Sequence, residues 1–218
     1  MRGNPYEHPG WRGALRPGGL GLTQRLLSLA DLPPRARILD VGCGEGESCA
    51  WLRDRGCEAA GLDCSAALIE RGRARFPGVP LYVGDAAAPP ASGAPWDALL
   101  FQCALSAMEA PAALSGCLPL LRPGGVLLCS DLYARGEAED AGLPALRTRG
   151  QWEALFRSHG LRPLGFEDQS RALGSFLAQK LMDGEELGAL LCRPLDEFRR
   201  ARAGYCLLWA RLEGEVSQ

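Results

Sequence analysis

The chain has 218 residues, 47% of them hydrophobic, which suits one domain with a substantial core and leaves little room for a second. Its net charge is −2, and its 23 arginines and single Lys180 form no dense basic run, so a nucleic-acid partner, which leaves a basic patch or stripe, is not expected. No apolar run approaches the ~20 residues needed to span a bilayer, and the opening MRGNPYEHPG lacks the apolar region of a signal peptide, so the expectation is a cytoplasmic protein with no membrane partner.

The nine cysteines, at 43, 49, 57, 64, 103, 117, 129, 192 and 206, are odd in number and contain no CxxC pair. Buried thiols in a reducing compartment fit them better than a zinc site or a disulfide frame. Cys43, Cys64 and Cys103 each lie just past an expected strand end, which keeps a thiolate-held metalloid such as arsenite as a lesser alternative. The excess of Arg, Ala, Gly and Pro over Lys looks like codon bias, so a single arginine carries little functional information.

Residues 1–30 begin with an aromatic, turn-rich stretch, NPYEHPGW, followed by an expected helix at 21–30. Tyr6, His8 and Trp11 could fold over a ligand as a lid; the alternative is a frayed terminus with one aromatic docked. From residue 36 to about 166, apolar runs of strand length alternate with helical patterns, the signature of an α/β protein with a parallel sheet. Strands are expected at 36–41, 58–62, 80–83, 96–102 and 125–130. Helices fall between them near 46–55, at 66–75 with Ser65 as N-cap, and at 111–121. Thr148 and Gln151 make a capping box for a helix over 149–159, which Gly160 ends, and His159 there sits against the helix dipole. Strands at 161–166 and 205–211 complete a set of seven, with a mostly helical excursion at 167–203. The pentapeptide LRPGG, at 15–19 and again at 121–125, is a chance repeat in so Arg-, Pro- and Gly-rich a chain.

The first strand feeds DVGCGEG, with Asp40 at its tip and Gly42, Gly44 and Gly46 at every second position. Such a turn brings backbone N–H groups and a helix N-terminus close to a ligand with no side chains in the way. The second strand ends GLDCS, where Asp63 can accept hydrogen bonds from two ribose hydroxyls. A dinucleotide site has the same outline but a GxGxxG spacing; here the third glycine comes one residue early and Glu47 follows it. Acids at that entrance repel a pyrophosphate. S-adenosylmethionine has no phosphate, and its ammonium and sulfonium favour nearby carboxylates.

With GDAA at 84–87 and LRPGGVLL at 121–128, these segments resemble, in order and spacing, the four motifs of the class I S-adenosylmethionine-dependent methyltransferases, of the small-molecule, type 11-like kind. The resemblance covers roughly residues 36–131. It implies a Rossmann-like, seven-stranded, mostly parallel sheet with helices on both faces and the last strand antiparallel. The expected organisation is one methyltransferase domain over 1–218, with 1–30 as an N-terminal cap, 31–131 as the cofactor-binding core and 132–218 as the acceptor-side half. By the same resemblance Asp40, Gly42, Cys43, Gly44 and Gly46 hold the methionyl end of S-adenosyl-L-methionine, Asp63 with Cys64 the ribose, Asp85 with Ala86 the adenine, and Gln102 the floor beneath the sulfonium. Cys64 is a less common residue there than an apolar or hydroxyl one, and Asp85 taken alone reads as a turn acid.

Methyl transfer gains much of its rate from orientation and desolvation, so a dedicated base is optional. The acceptor pocket should draw on the segments just beyond strands four, five and six. QCALSAM, which includes Ser106, is not the NPPY-type turn that suits a DNA adenine or a protein glutamine. Beyond it, SDLYAR supplies Asp131 and Tyr133, and FEDQSRAL supplies Glu167 and Asp168, which could orient or deprotonate an acceptor. Their alternatives are caps, turn acids and a rim aromatic. The expected activity is in-line methyl transfer to a small molecule by a monomer or homodimer with no metal. The alternatives are a catalytically silent binding or sensor protein of the same fold, a thiol-assisted arsenite methyltransferase, and a nicotinamide-dependent oxidoreductase.

Overall fold

A computed structural model describes residues 16–90, 95–136, 146–185 and 195–213. Tyr6, His8, Trp11 and Cys192 therefore lie outside the described residues, as do parts of the expected cap and of the helical excursion.

Seven strands form one sheet: β1 (Arg37–Val41), β2 (Glu58–Asp63), β3 (Leu81–Val83), β4 (Trp96–Gln102), β5 (Leu121–Tyr133), β6 (Leu161–Asp168) and β7 (Gly204–Leu212). Their spatial order is β3-β2-β1-β4-β5-β7-β6. The first five run parallel, and β7 lies antiparallel between β5 and β6. This is the sheet expected of the family. The chain reverses direction across the sheet beside β1, so the crevice beyond the carboxyl ends of β1 and β4 is the topological switch point at which such sheets bind ligands.

Helices α1 (Gly19–Ser28), α2 (Glu47–Arg53) and α3 (Ala66–Arg75) precede β1, β2 and β3; α4 (Ala110–Cys117), α5 (Arg149–Ser158), α6 (Ser170–Met182) and α7 (Leu195–Arg200) follow β4, β5, β6 and α6 in turn. Alternate strand residues serve opposite layers, as the two-residue period of a strand requires. Ile38, Leu100, Leu128 and Leu207 pack with Leu26, Leu52 and Ile69 of α1, α2 and α3. Leu39, Leu99, Leu127 and Leu208 pack with Leu114, Trp152 and Phe156 of α4 and α5. A third cluster, Leu132, Leu146, Leu173 and Tyr205, sits at the carboxyl end of β5. No described helix is long and apolar enough to cross a membrane.

The local signals act as expected at two helix starts. Ser65 accepts from the Leu68 N–H, and Thr148 and Gln151 form a reciprocal capping box. Two boundaries differ by four residues. The helix expected at 111–121 stops at Cys117 and tightens into a 3-10 turn, Leu118–Leu120, where Pro119 cannot donate into an α-helical ladder. Strand β5 begins at Leu121 rather than 125, because Leu121 pairs with Trp96 and a register shift between Trp96 and Ala98 absorbs the intervening Pro-Gly-Gly.

Candidate cofactor and acceptor site

The turn after β1 is held by the strand beside it: the N–H groups of Gly42 and Cys43 both donate to the Leu62 carbonyl. Gly42 has φ +78°, and a Cβ there would lie 2.7 Å from that of Ala104, so this glycine lets the β4 tip approach. Gly44 differs in kind. Its φ is +57°, and a Cβ built on it meets nothing within 4 Å, so its bare face opens on space beside the loop. Asp63 closes the turn from β2, accepting from the Gly44 N–H at 2.8 Å and the Ser65 N–H at 2.9 Å. Glu45 is tied outward to Arg71 and Arg75 of α3.

Asp40 is 2% exposed, and its Oδ1 has no protein hydrogen-bond partner. Its Oδ2 meets the Cys49 thiol at 3.9 Å. Burial pushes this carboxyl up to about 7, with Arg16 opposing the rise and Asp63 adding to it. Arg16 is a functional candidate the sequence did not reveal. One of its Nη atoms donates to Thr23 Oγ1 at 3.0 Å and Ser48 Oγ at 2.9 Å, while its buried Nε has no partner in the protein. Ser48 donates to Gln102 Oε1 and Gln102 Nε2 donates to Thr23 Oγ1, each at 2.8 Å. The four side chains close a ring, and because the Thr23 hydroxyl donates to the Gly19 carbonyl it can only accept from Gln102, which turns the amide nitrogen toward Thr23 and its oxygen toward Ser48.

The third motif, GDAA, follows β3. Asp85 is exposed and accepts from the Ala87 N–H, and the Ala86 carbonyl accepts from Cys117 of α4. Beyond β4, Cys103 has φ +53°, uncommon for a non-glycine residue, and its thiol lies 3.2 Å from the Tyr205 hydroxyl. Asp131 is fully buried and anchors the turn beyond Cys103, accepting from the N–H and the hydroxyl of Ser106 and from the Leu132 N–H.

Tyr133, Glu167 and Asp168 stand at the ends of β5 and β6. Tyr133 packs edge-on against Phe166, with ring centroids 5.1 Å apart, and its hydroxyl is hydrogen-bonded to Asp168. Burial raises the Tyr133 hydroxyl, and the Asp168 charge adds to this. Burial also works to raise Asp168, but hydrogen bonds from Ser170 and Tyr133 outweigh it and hold the carboxyl below its ordinary value. Glu167 is taken by Arg25 of α1 in a two-pronged ion pair, whose hydrogen bond holds this carboxyl low as well. His159 caps the end of α5, with its ring against the Leu155 and Pro111 carbonyls. Among the described residues no group of three or more His, Cys, Asp or Glu could hold a metal ion, so Cys43, Cys64 and Cys103 do not form a thiolate trap. Cys43 is pushed well up by its hydrogen bond with Cys49 and by burial, away from the thiolate such a trap needs.

A seven-stranded sheet of this order, with a DxGxGxG turn opening on bare space and an acid ending the second strand, defines the adenosyl-binding fold of the class I methyltransferases. Residues 38–125, about two fifths of the chain, match the family described as "Methyltransferase domain", and over that part the chain is similar to the class I S-adenosylmethionine-dependent methyltransferases. Its relatives include a malonyl-[acyl-carrier protein] O-methyltransferase of Enterobacter lignolyticus, 34% identical over 161 residues, which make up 70% of this chain and 61% of that one. The chain thus spans about three fifths of that relative. Among solved structures, geranyl diphosphate C-methyltransferase from Streptomyces coelicolor, in complex with S-adenosyl-L-homocysteine, superposes with a TM-score of 0.69 at 18% identity, covering 88% of this chain and 79% of that one. The [4+2]-cyclase SpnF superposes with the same score of 0.69 at 24% identity, covering 88% of this chain and 80% of that one. At these identities the two structures speak for the fold alone.

Proposed function

We propose that the protein transfers a methyl group from S-adenosyl-L-methionine to a small-molecule acceptor. One observation carries this reading. Two buried atoms, Asp40 Oδ1 and Arg16 Nε, have no hydrogen-bond partner in the protein, and Asp40 lies in β1 just ahead of the turn in which Gly44 opens on space. A carboxyl oxygen and a guanidinium nitrogen left without a hydrogen bond fit the ammonium and carboxylate of an amino-acid end better than they fit a pyrophosphate. The cofactor supplies an electrophilic methyl carbon on a sulfonium sulfur. The chain's part is to hold and orient. Asp40 and Arg16 would take the methionyl end, Asp63 the ribose with the lone pairs its two N–H contacts leave over, Asp85 and Ala86 the adenine, and the ring-held Gln102 amide the floor.

On the acceptor side, Tyr133 and Asp168 form the pair best placed to orient a nucleophile or draw its proton. Asp168 is held below its ordinary value, and the Tyr133 hydroxyl that bonds to it belongs to the last residue of β5. Asp131, with its oxygens engaged by Ser106 and Leu132, would act by fixing the β4 tip, and Glu167 by docking α1. The Phe166 ring packed edge-on against Tyr133 suits a small organic acceptor.

Because a fold neighbour is named a cyclase, the fold does not fix the chemistry, and the test has two stages. Calorimetric titration should show micromolar binding of S-adenosylmethionine and S-adenosylhomocysteine, none of NAD, and loss of binding in Asp63→Ala. Transfer of labelled methyl to any acceptor in a small-molecule panel then separates an enzyme from a silent binding protein. Failure of well-folded protein to bind either adenosyl ligand refutes the proposal.

A further inference from the structure

Among the described residues four buried side-chain N or O atoms have no hydrogen-bond partner, and Asp40 Oδ1 is the only one on a residue of the glycine motif. The charged and titratable groups that face Asp40 come from each element packed on it: Arg16 ahead of α1, Cys43 in the turn, Cys49 on α2 and Asp63 at the end of β2. Arg16 is the cation of this set, but its donors go to Thr23 and Ser48, and the carboxylate it meets in an ion pair is that of Glu47, at 3.9 Å. Asp40 has therefore lost water without gaining an N–H or a contacting cation. Its neighbour Asp63 makes matters worse by carrying the same charge. A carboxyl in this position favours its neutral form until a positive group arrives beside it.

Resting on the cofactor reading above, we infer that binding of a ligand with an α-amino-acid end drives a proton off Asp40, so that the site's affinity is gated by pH. The change is a proton transfer only. The neutral acid gives its proton to the solvent, the carboxylate remains beside the ligand's ammonium, and no bond to carbon or sulfur is made or broken. The raised position of this carboxyl, at about 7, agrees with that assignment and places the gate near neutrality. Well below that pH the affinity should fall by up to about tenfold per pH unit, and above it the affinity should level off.

The experiment is titration calorimetry in phosphate and in Tris, whose ionisation enthalpies differ, so that the difference in observed heat counts protons. S-adenosylmethionine, S-adenosylhomocysteine and 5′-methylthioadenosine, which lacks the amino-acid end, are each titrated between about pH 6 and about pH 8. The two full ligands should release roughly half a proton at pH 7 and close to one near pH 6, whereas methylthioadenosine should release none. Asp40→Asn should bind the full ligands with no such release and with an affinity flat across the range. If that variant does not fold, the contrast between ligands on the wild-type protein still decides. Binding of S-adenosylmethionine with no proton exchange, or equal exchange with methylthioadenosine, or release that persists in Asp40→Asn, would overturn the inference while leaving the cofactor reading intact. If no adenosyl ligand binds at all, the cofactor reading fails and takes the inference with it.

Discussion

Asp40 is an acid that the fold holds at a cost. Its carboxyl ionises near pH 3.8 in an unstructured chain and at about 7 here, so the folded state binds more protons than the unfolded state between those values. Stability contributed by this group therefore falls as pH rises from 3.8 to about 7 and is flat above. Asp40→Asn should raise the melting temperature of the ligand-free protein at about pH 8 and much less at about pH 5. At about 1.4 kcal/mol per pH unit, the interval caps the gain at about 4 kcal/mol. Thermal melts at the two pH values check the sign. Arg16 makes a separate prediction. If its guanidinium receives the carboxylate of the cofactor, Arg16→Met should weaken S-adenosylmethionine by at least tenfold but leave decarboxylated S-adenosylmethionine nearly unchanged, a ligand-side cycle that isolates the pair. Equal losses for both ligands would reduce Arg16 to a structural role. Asp40 was legible in the sequence because a motif surrounds it. Arg16 was not: it is one of 23 arginines and lies in a pentapeptide whose repetition looks accidental. What singles it out is a buried Nε without a partner, a property no local pattern carries.

At the level of elements, the glycine turn separates two demands that look alike in the sequence. Gly42 and Gly44 both have positive φ, but only at Gly42 would a side chain strike Ala104. Gly42→Ala should therefore unfold or strongly destabilise the protein, by about 2–4 kcal/mol from overpacking and strain together. Gly44→Ala should cost about 1 kcal/mol of backbone strain, keep its fold, and lose cofactor affinity, because its methyl enters the space beside the loop. Denaturant melts and calorimetry on the two variants distinguish these outcomes. The β4 tip gives a parallel case. Asp131→Ala leaves two N–H groups and a hydroxyl without their buried acceptor, so a loss of about 3 kcal/mol is expected, measurable by urea unfolding. The starts of α3 and α5 could be read from Ser65 and from Thr148 with Gln151, since a cap is a contact within four residues. The start of β5 could not, because it depends on a pairing between Leu121 and Trp96 on another strand.

For the molecule as a whole, α1 is tied to the ends of β4 and β6. Arg25 of α1 grips Glu167 at the end of β6, and Thr23 of α1 holds Gln102 at the end of β4. Ligand bound in that crevice should stabilise the whole fold by mass action, by about 2.7 kcal/mol at a hundredfold excess over Kd, seen as a rise in melting temperature with S-adenosylhomocysteine. The seven strands, most of the helices and the glycine turn could be read from the chain alone, because hydrophobic period, caps and glycine spacing act over a few residues and are written where they act. It took the folded arrangement to place β7 between β5 and β6, to make Asp131 the clamp of the β4 tip, and to leave Asp40 Oδ1 and Arg16 Nε without a hydrogen-bond partner. Those outcomes depend on which distant groups arrive beside a residue and how much water they remove, and neither quantity is set by the residues next to it in the chain.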